Sequence, residues 1–527
     1  MVRGLKPTRM QGASSFLFVM ILLMNRVFTF ITLLATTLLQ SASLPMTGTF
    51  SGITYRDVRI TEGYATAMPS DGLVNMLVIP IQFSDATCEQ ILEGCEQTLV
   101  NIDHAFFGST DEVPWHSVSS YYHASSYGNL TIQGRVTDWF TPSVTAVELS
   151  NNRNLLGSQV IQPAMLNFKE NYLNQVRDFD QDQDGFFDAV YFIYSLPFDP
   201  EGEEYGEDKD VFWAFVAYQG GVANVESPTL FHYGWSSYQF MYEDGTYQRS
   251  ANGKAIWDDN NEPIFIPATD ANGNRSVDAH VYIHEVGHLL GLLDYYSYDR
   301  GLGDWGPTGA LDMMDYNIGD HNGFSKMVLG WIPPTYVQQS GTLVLPTIAT
   351  SPSLLMLTKP NPTTMMDEYI LIEFYQPLGL NQKDSQASYA GRYPRMFSAS
   401  GLKIYHLDAR IAKQRLTNQG VVFEEYVKDI IPGSGFRYQL AHHNTMSRNA
   451  IGTNPNFKLI HLLEASGINT FKHQGFATNA TLFQTGMSFN QDDRPFYFND
   501  GTRLPWQLTV GEITAQGITL NITAVPA

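Results

Sequence analysis

His284-Glu285-Val286-Gly287-His288-Leu289-Leu290-Gly291-Leu292-Leu293-Asp294 lies just past the middle of the chain and spells H-E-x-x-H-x-x-G-x-x-D. Residues four apart on an α-helix share one face, so His284 and His288 can reach a single metal ion. Glu285 falls beside such an ion, where a carboxylate can take a proton from a bound water. Gly291 permits the left-handed backbone that ends a helix and turns the chain. The turn lets Asp294 swing back as a third ligand, and three protein ligands leave a fourth zinc position for water. Asp299 is a rival third ligand, at a spacing that does not suit the turn after Gly291. The bland alternative is a buried helix with two hydrogen-bonded histidines.

H-E-x-x-H alone arises by chance in roughly one protein of this size and composition in sixty. Adding the glycine and the acid lowers this to on the order of one in ten thousand. With Met314 some twenty residues on, the extended motif resembles the metzincin-type zinc peptidases. Aspartate as the last ligand is similar to peptidase family M6, the immune inhibitor A group. Leu77–Asp85, Ser117-Val118-Ser119-Ser120-Tyr121-Tyr122, Ser126-Tyr127-Gly128-Asn129-Leu130 and Gly330-Trp331 carry the resemblance along the chain. It implies an α+β fold: a zincin (metzincin-like) catalytic domain with a mixed sheet and an active-site helix, then a β-sandwich-like C-terminal domain. It also implies that Met314 floors the metal site within a methionine turn, and that Tyr316, two residues on, steadies the developing oxyanion. A buried phenol bonded to backbone is the alternative role for Tyr316.

The chain has 527 residues, enough for two or three domains. A net charge of −22 argues against nucleic acid or anionic lipid as a partner and suits a soluble extracellular protein. Residues 1–43 hold four basic side chains and no acid, so the remainder carries −26. Met24-Asn25-Arg26, the apolar Val27–Leu39 and Ser41-Ala42-Ser43 read as a secretory signal, with Met24 as a candidate start and cleavage after Ser43. A membrane anchor is the alternative, although each apolar run is short and Arg26 divides them. Cys88 and Cys95, the only cysteines, read as a disulfide in an exported chain. These features divide the chain into a signal at 1–43, an N-terminal segment or short propeptide at 44–72, a catalytic domain at 73–334 and a β-rich domain at 335–527.

Within the catalytic part, residues 73–139 read as strand, helix, strand, with β runs at Met76–Phe83 and Leu130–Val136 and a helix near Ser117–Ser126. Tyr121, Tyr122 and Tyr127 read as packing. Asp180, Asp182, Asp184 and Gly185 match positions 1, 3, 5 and 6 of a calcium loop, and Asp188 matches position 9. Tyr191 stands where the bidentate glutamate belongs, which weakens any calcium site. An exposed acidic turn before the strand Ala189–Tyr194 is the alternative. Residues 200–275, with Trp213, Trp235 and Trp257, read as loops and short strands walling a substrate cleft. Ser276 reads as the cap of a helix over Val277–Leu290. His280 and His321 flank the motif and read as ordinary hydrogen-bonded histidines.

Phe324–Trp331 reads as a helix broken by Pro333-Pro334. Short β runs follow at Thr342–Leu345, Leu354–Leu357, Tyr369–Phe374, Leu402–Leu407, Leu459–Leu463, Leu508–Val510 and Ile518–Val525. His406 and Asp408 read as a structural pair, and His442-His443 as surface. The expectation is a secreted, monomeric zinc endopeptidase acting on proteins or peptides, with calcium as a second candidate ion. Its rival is an exported adhesin or glycan-binding protein that keeps the scaffold without the chemistry.

Overall fold

In the computed structural model, Gly72–Ile81 (β1) pairs in parallel with Leu130–Val136 (β2) on one side and Ala189–Tyr194 (β3) on the other. Phe215–Tyr218 (β4) is an antiparallel edge strand on His232–Ser237 (β5), itself parallel to β3. The order β2-β1-β3-β5-β4 makes a mixed sheet. Its central strands are apolar without alternation because both faces are covered. Val74, Met76 and Val78 face Ile102 and Phe106 of Gly94–Phe107 (α1) and Tyr121 and Tyr122 of Val118–Ser125 (α2). Leu77, Ile79 and Ile81 face the other way, onto Val160, Ile161, Met165 and Phe168. The structure describes residues 46–50, 68–197, 209–242, 276–298, 306–388, 393–445 and 456–525, with single breaks at 419, 429, 432–433 and 474 and scattered positions between 245 and 275. The signal segment with Met24 and Ser43, most of residues 44–72, Trp257 and the rival ligand Asp299 lie outside the described residues. Among the described residues no helix is long and apolar enough to cross a membrane.

Two helices, α1 and α2, stand between β1 and β2 where the sequence showed one. Ser117 caps α2 by accepting from Ser120 N. Cys88 and Cys95 form a disulfide across the turn that leads into α1. The three tyrosines do pack: Tyr121, Tyr122 and Tyr127 donate their hydroxyls to the carbonyls of Gly319, Ile283 and Ile348.

The motif helix (α3) spans His280–Leu289, three residues shorter at its start than the reading from Ser276. Asp278 N is held by Met241 O, which keeps 277–279 out of the helix, and the Asp278 carboxylate accepts from His280 N. Ser276 therefore does not cap it. Asp312 caps the single turn Met313–Tyr316 (α4), and Asn322 caps Gly323–Val328 (α5).

Past Pro334 the chain is predominantly β. Thr335–Val337 (β6), Leu355–Thr358 (β8), Glu368–Tyr375 (β9), Gly401–Asp408 (β10) and Ile460–Leu463 (β14) lie side by side in that order. Gly341–Leu345 (β7), Gly517–Ala524 (β17), Trp506–Thr514 (β16) and Ser488–Phe489 (β15) form a second, antiparallel sheet. The two sheets pack through Leu355, Ile370, Ile372 and Ile404 against Leu343, Leu508, Ile518 and Leu520. Tyr369, Leu371 and Tyr375, on the other side of β9, belong to the core that also holds Val286, Leu289 and Met314, so the β-rich half and the motif helix share one core. The sequence did not reveal a third sheet of Ile411–Thr417 (β11), Gly420–Val427 (β12) and Arg437–Leu440 (β13), ordered β12-β11-β13. Two minor expectations fail here. His406 pairs with Glu368 at 2.9 Å, and Asp408 with Arg410, so the two do not pair with each other. His442 and His443 are buried, not surface.

Candidate metal centre

Helix α3 ends in a double hydrogen-bond pattern: Leu292 N bonds Gly287 O at 2.9 Å and Gly291 N bonds His288 O at 2.8 Å. Gly291 sits at φ 85°, the left-handed conformation this ending requires. The chain reverses there and returns Asp294 to the helix. Asp294 Oδ1 lies 3.0 Å from His284 Nε2 and 3.3 Å from His288 Nε2. The three donor atoms fall within 4.8 Å of one another, close enough for one ion.

Ring orientation decides how to read this cluster. His284 Nδ1 donates to Met313 O at 2.7 Å and His288 Nδ1 to Leu292 O at 2.8 Å. A carbonyl can only accept, so each ring carries its proton on Nδ1 and leaves Nε2 free to face inward. Asp294 Oδ1 is buried and, although within ion-pair distance of both imidazoles, makes no hydrogen bond. Three lone-pair donors around one point, none satisfied by another, is the arrangement a cation completes. Without one, protons are drawn in. Burial opposes charge on His288, but Asp294 raises it to about 9. Burial also opposes ionisation of Asp294, yet the histidines drive it far below the usual carboxylate range.

Glu285 is buried and its Oε2 has no partner. Burial pushes its carboxyl up, and the histidine charges recover only part of the shift, so it is a stronger base than a solvated glutamate. Met314 lies directly beneath the helix. A Cβ on Gly287 would meet its Sδ at 2.6 Å, so the glycine is there to let the methionine approach. The turn is fixed by Asp312, which accepts from Met314 N and from Asn322 Nδ2.

Tyr316 is 37% exposed, its ring against Tyr393 and Phe476. Two tyrosines unremarked in the sequence are tied to the cluster. Tyr298 donates its hydroxyl to Asp294 Oδ2, and burial together with the charges of Asp294 and Glu285 raises the Tyr296 phenol above its usual range. Tyr298 follows Asp294 by four residues, a spacing with no established meaning outside a helix. His280 bonds Asp278 at 2.9 Å, while its Nε2 lies 3.5 Å from Asp384. His321 departs from expectation, since neither of its buried ring nitrogens has a hydrogen-bond partner.

The second acidic cluster brings Asp180, Asp182 and Asp184 together, and two of the three are exposed. Gly185 is required at φ 88°, where a Cβ would meet Asn224 N at 2.5 Å. Asp188 is not within that group. Its Oδ2 accepts from Gln181 N at 3.0 Å, while Oδ1 is buried without a partner, as is Asp180 Oδ1. Burial, with the other carboxylates adding to it, raises Asp188 to about 7. Tyr191 is no ligand here, since its hydroxyl sits in the core 3.0 Å from Ser236 Oγ.

No protein-family model and no curated protein matches this chain.

Proposed function

We propose that the protein is a secreted zinc-dependent endopeptidase on a zincin-type scaffold, with His284, His288 and Asp294 as the metal ligands. One observation carries this reading: both Nε2 atoms and Asp294 Oδ1 face a common point, next to a buried carboxylate, Glu285, that has a free oxygen. Histidine nitrogen and carboxylate oxygen are ordinary zinc donors, and the carbonyl-anchored Nδ1 atoms supply the outer support such sites use. When bound, zinc supplies a Lewis acid that polarises the scissile carbonyl and acidifies a water.

Glu285 takes the proton released as that water attacks the carbonyl carbon, and returns it to the leaving amine nitrogen. Tyr316 is the candidate hydrogen-bond donor to the developing oxyanion, from the turn below the helix. Secretion rests on the N-terminal sequence and is supported by the Cys88–Cys95 disulfide, since such bonds persist in oxidising compartments. The Asp180–Asp184 loop is proposed as a structural calcium site away from the chemistry.

The test is digestion of casein by purified mature protein, before and after removal of metal with a zinc chelator. New amino termini should appear, vanish on chelation and return with added zinc. A zinc-loaded protein that cuts neither casein nor any member of a peptide library would end the peptidase reading and leave the exported binding protein.

A further inference from the structure

The segment after Gly291 is clamped from three sides. Tyr295 N bonds Met314 O at 2.8 Å, and the Tyr295 hydroxyl lies 2.8 Å from Ser325 Oγ. The third clamp comes from the β-rich half, about 150 residues away in the chain. Asn444, 1% exposed, donates from Nδ2 to Tyr295 O at 2.9 Å and to Ile460 O at 2.9 Å. Its own Oδ1 accepts from Ile460 N at 3.2 Å, so the amide is held in one orientation by β14. The next residue, Thr445, accepts at its carbonyl from Tyr298 N at 3.0 Å. Tyr298 in turn donates its hydroxyl to Asp294 Oδ2.

These contacts share one result. One Asp294 oxygen is occupied by a phenol and only the other faces the two imidazoles. We infer that Asn444 and Tyr298 are positioning residues for the third ligand: the β-rich half holds the 295–298 segment, and Tyr298 confines Asp294 to a single donor oxygen. This rests on the zinc reading given above. A carboxylate free to offer both oxygens adds a ligand and closes the position a catalytic site keeps open. The β-rich half is thereby part of the metal site and not an appended module.

Tyr298→Phe removes one hydroxyl and leaves the ring. Zinc affinity, measured by competition with a chelating dye on the intact protein, should fall by about 10- to 100-fold, the usual effect of losing an outer partner. Asn444→Ala should weaken zinc by a similar factor. Cobalt(II) in place of zinc gives an independent readout. Tyr298→Phe should lower the intensity of the visible absorption band, as a rise in coordination number does. Unfolding of the metal-free proteins, followed in parallel, separates positioning from stability. If wild type binds one zinc and Tyr298→Phe binds it equally, with the same cobalt spectrum, the inference is overturned. An Asn444→Ala protein that melts lower without metal yet binds zinc as wild type overturns the role of Asn444. If wild type itself binds no zinc, the zinc reading has failed, and that result is distinct from the other two.

Discussion

The two metal-type clusters differ in what the protein does with the donor atoms. At His284, His288 and Asp294 each ligand's outer atom is engaged, by Met313 O, Leu292 O and the Tyr298 hydroxyl, and the inner atoms point at one another. At Asp180, Asp182 and Asp184 the carboxylates accept mainly from their own loop: Gly185 N, Asp184 N and Phe186 N. One buried oxygen each on Asp180 and neighbouring Asp188 is left without a hydrogen-bond partner. The first cluster is organised to present lone pairs, whereas the second is a turn that tolerates its acids and leaves room for a cation. Affinity and function should separate in the same way.

The largest expected effect lies in the first cluster. Glu285→Gln keeps the shape and removes the base, so turnover of a peptide substrate should fall by about 10²- to 10⁴-fold. Zinc content should stay at one per chain, because Glu285 is not among the converging donors. Turnover close to wild type, with zinc retained, would strip Glu285 of its role and remove the main contrast with the aspartate loop.

This contrast also marks how far the sequence could be read. The motif is legible because it is local: i,i+4 spacing sets the two rings, and a left-handed glycine sets the return of Asp294. Met314 is legible only through the resemblance to zinc peptidases that carry a methionine turn. Asn444 and Tyr298 are not, since their part depends on where β14 and the loop at 441–445 come to rest against the motif segment. The helix start was misplaced for a related reason. Ser276 has the right chemistry, but the tertiary bond from Asp278 N to Met241 O overrides it. Helix α1 was missed because its buried positions mix Thr98 and Asn101 with Ile102, Ala105 and Phe106, which blurs the apolar period. Of the sheets, β1 and β3 were visible as continuous apolar runs. The β11–β13 sheet was not, because β11 is buried at one end and polar and exposed at the other.

His280 sharpens the contrast, because it shows a buried carboxylate pair stabilised by an internal cation. Burial disfavours its charge, but Asp278 and Asp384 raise it to about 9 against 6.5 in the unfolded chain. The folded value is the higher one, so the stabilisation is complete below pH 6.5 and is lost as pH rises through 9. Asp384→Asn should therefore destabilise the protein more at pH 6.5 than at pH 9.5, as followed by urea unfolding. An equal loss at both pH values would mean that His280 is neutral in the folded protein.

Asp180 and Asp188 have no such internal cation within hydrogen-bond or ion-pair distance of their buried oxygens among the described residues, and the smallest expected effect belongs to them. With Tyr191 in the core where a bidentate glutamate would stand, the loop lacks a strong ligand, so a dissociation constant of roughly 10⁻⁴–10⁻³ M is expected. At 10 mM calcium, mass action then stabilises the fold by about 1–3 kcal/mol. Calcium should raise the melting temperature of wild type by a few degrees, and Asp180→Asn with Asp182→Asn should abolish the rise. Zinc content and peptide turnover should not change in that double variant, since the loop shares no ligand with the histidine cluster. A calcium response that survives both substitutions would place the ion elsewhere. Loss of zinc along with it would mean that the two clusters are coupled after all.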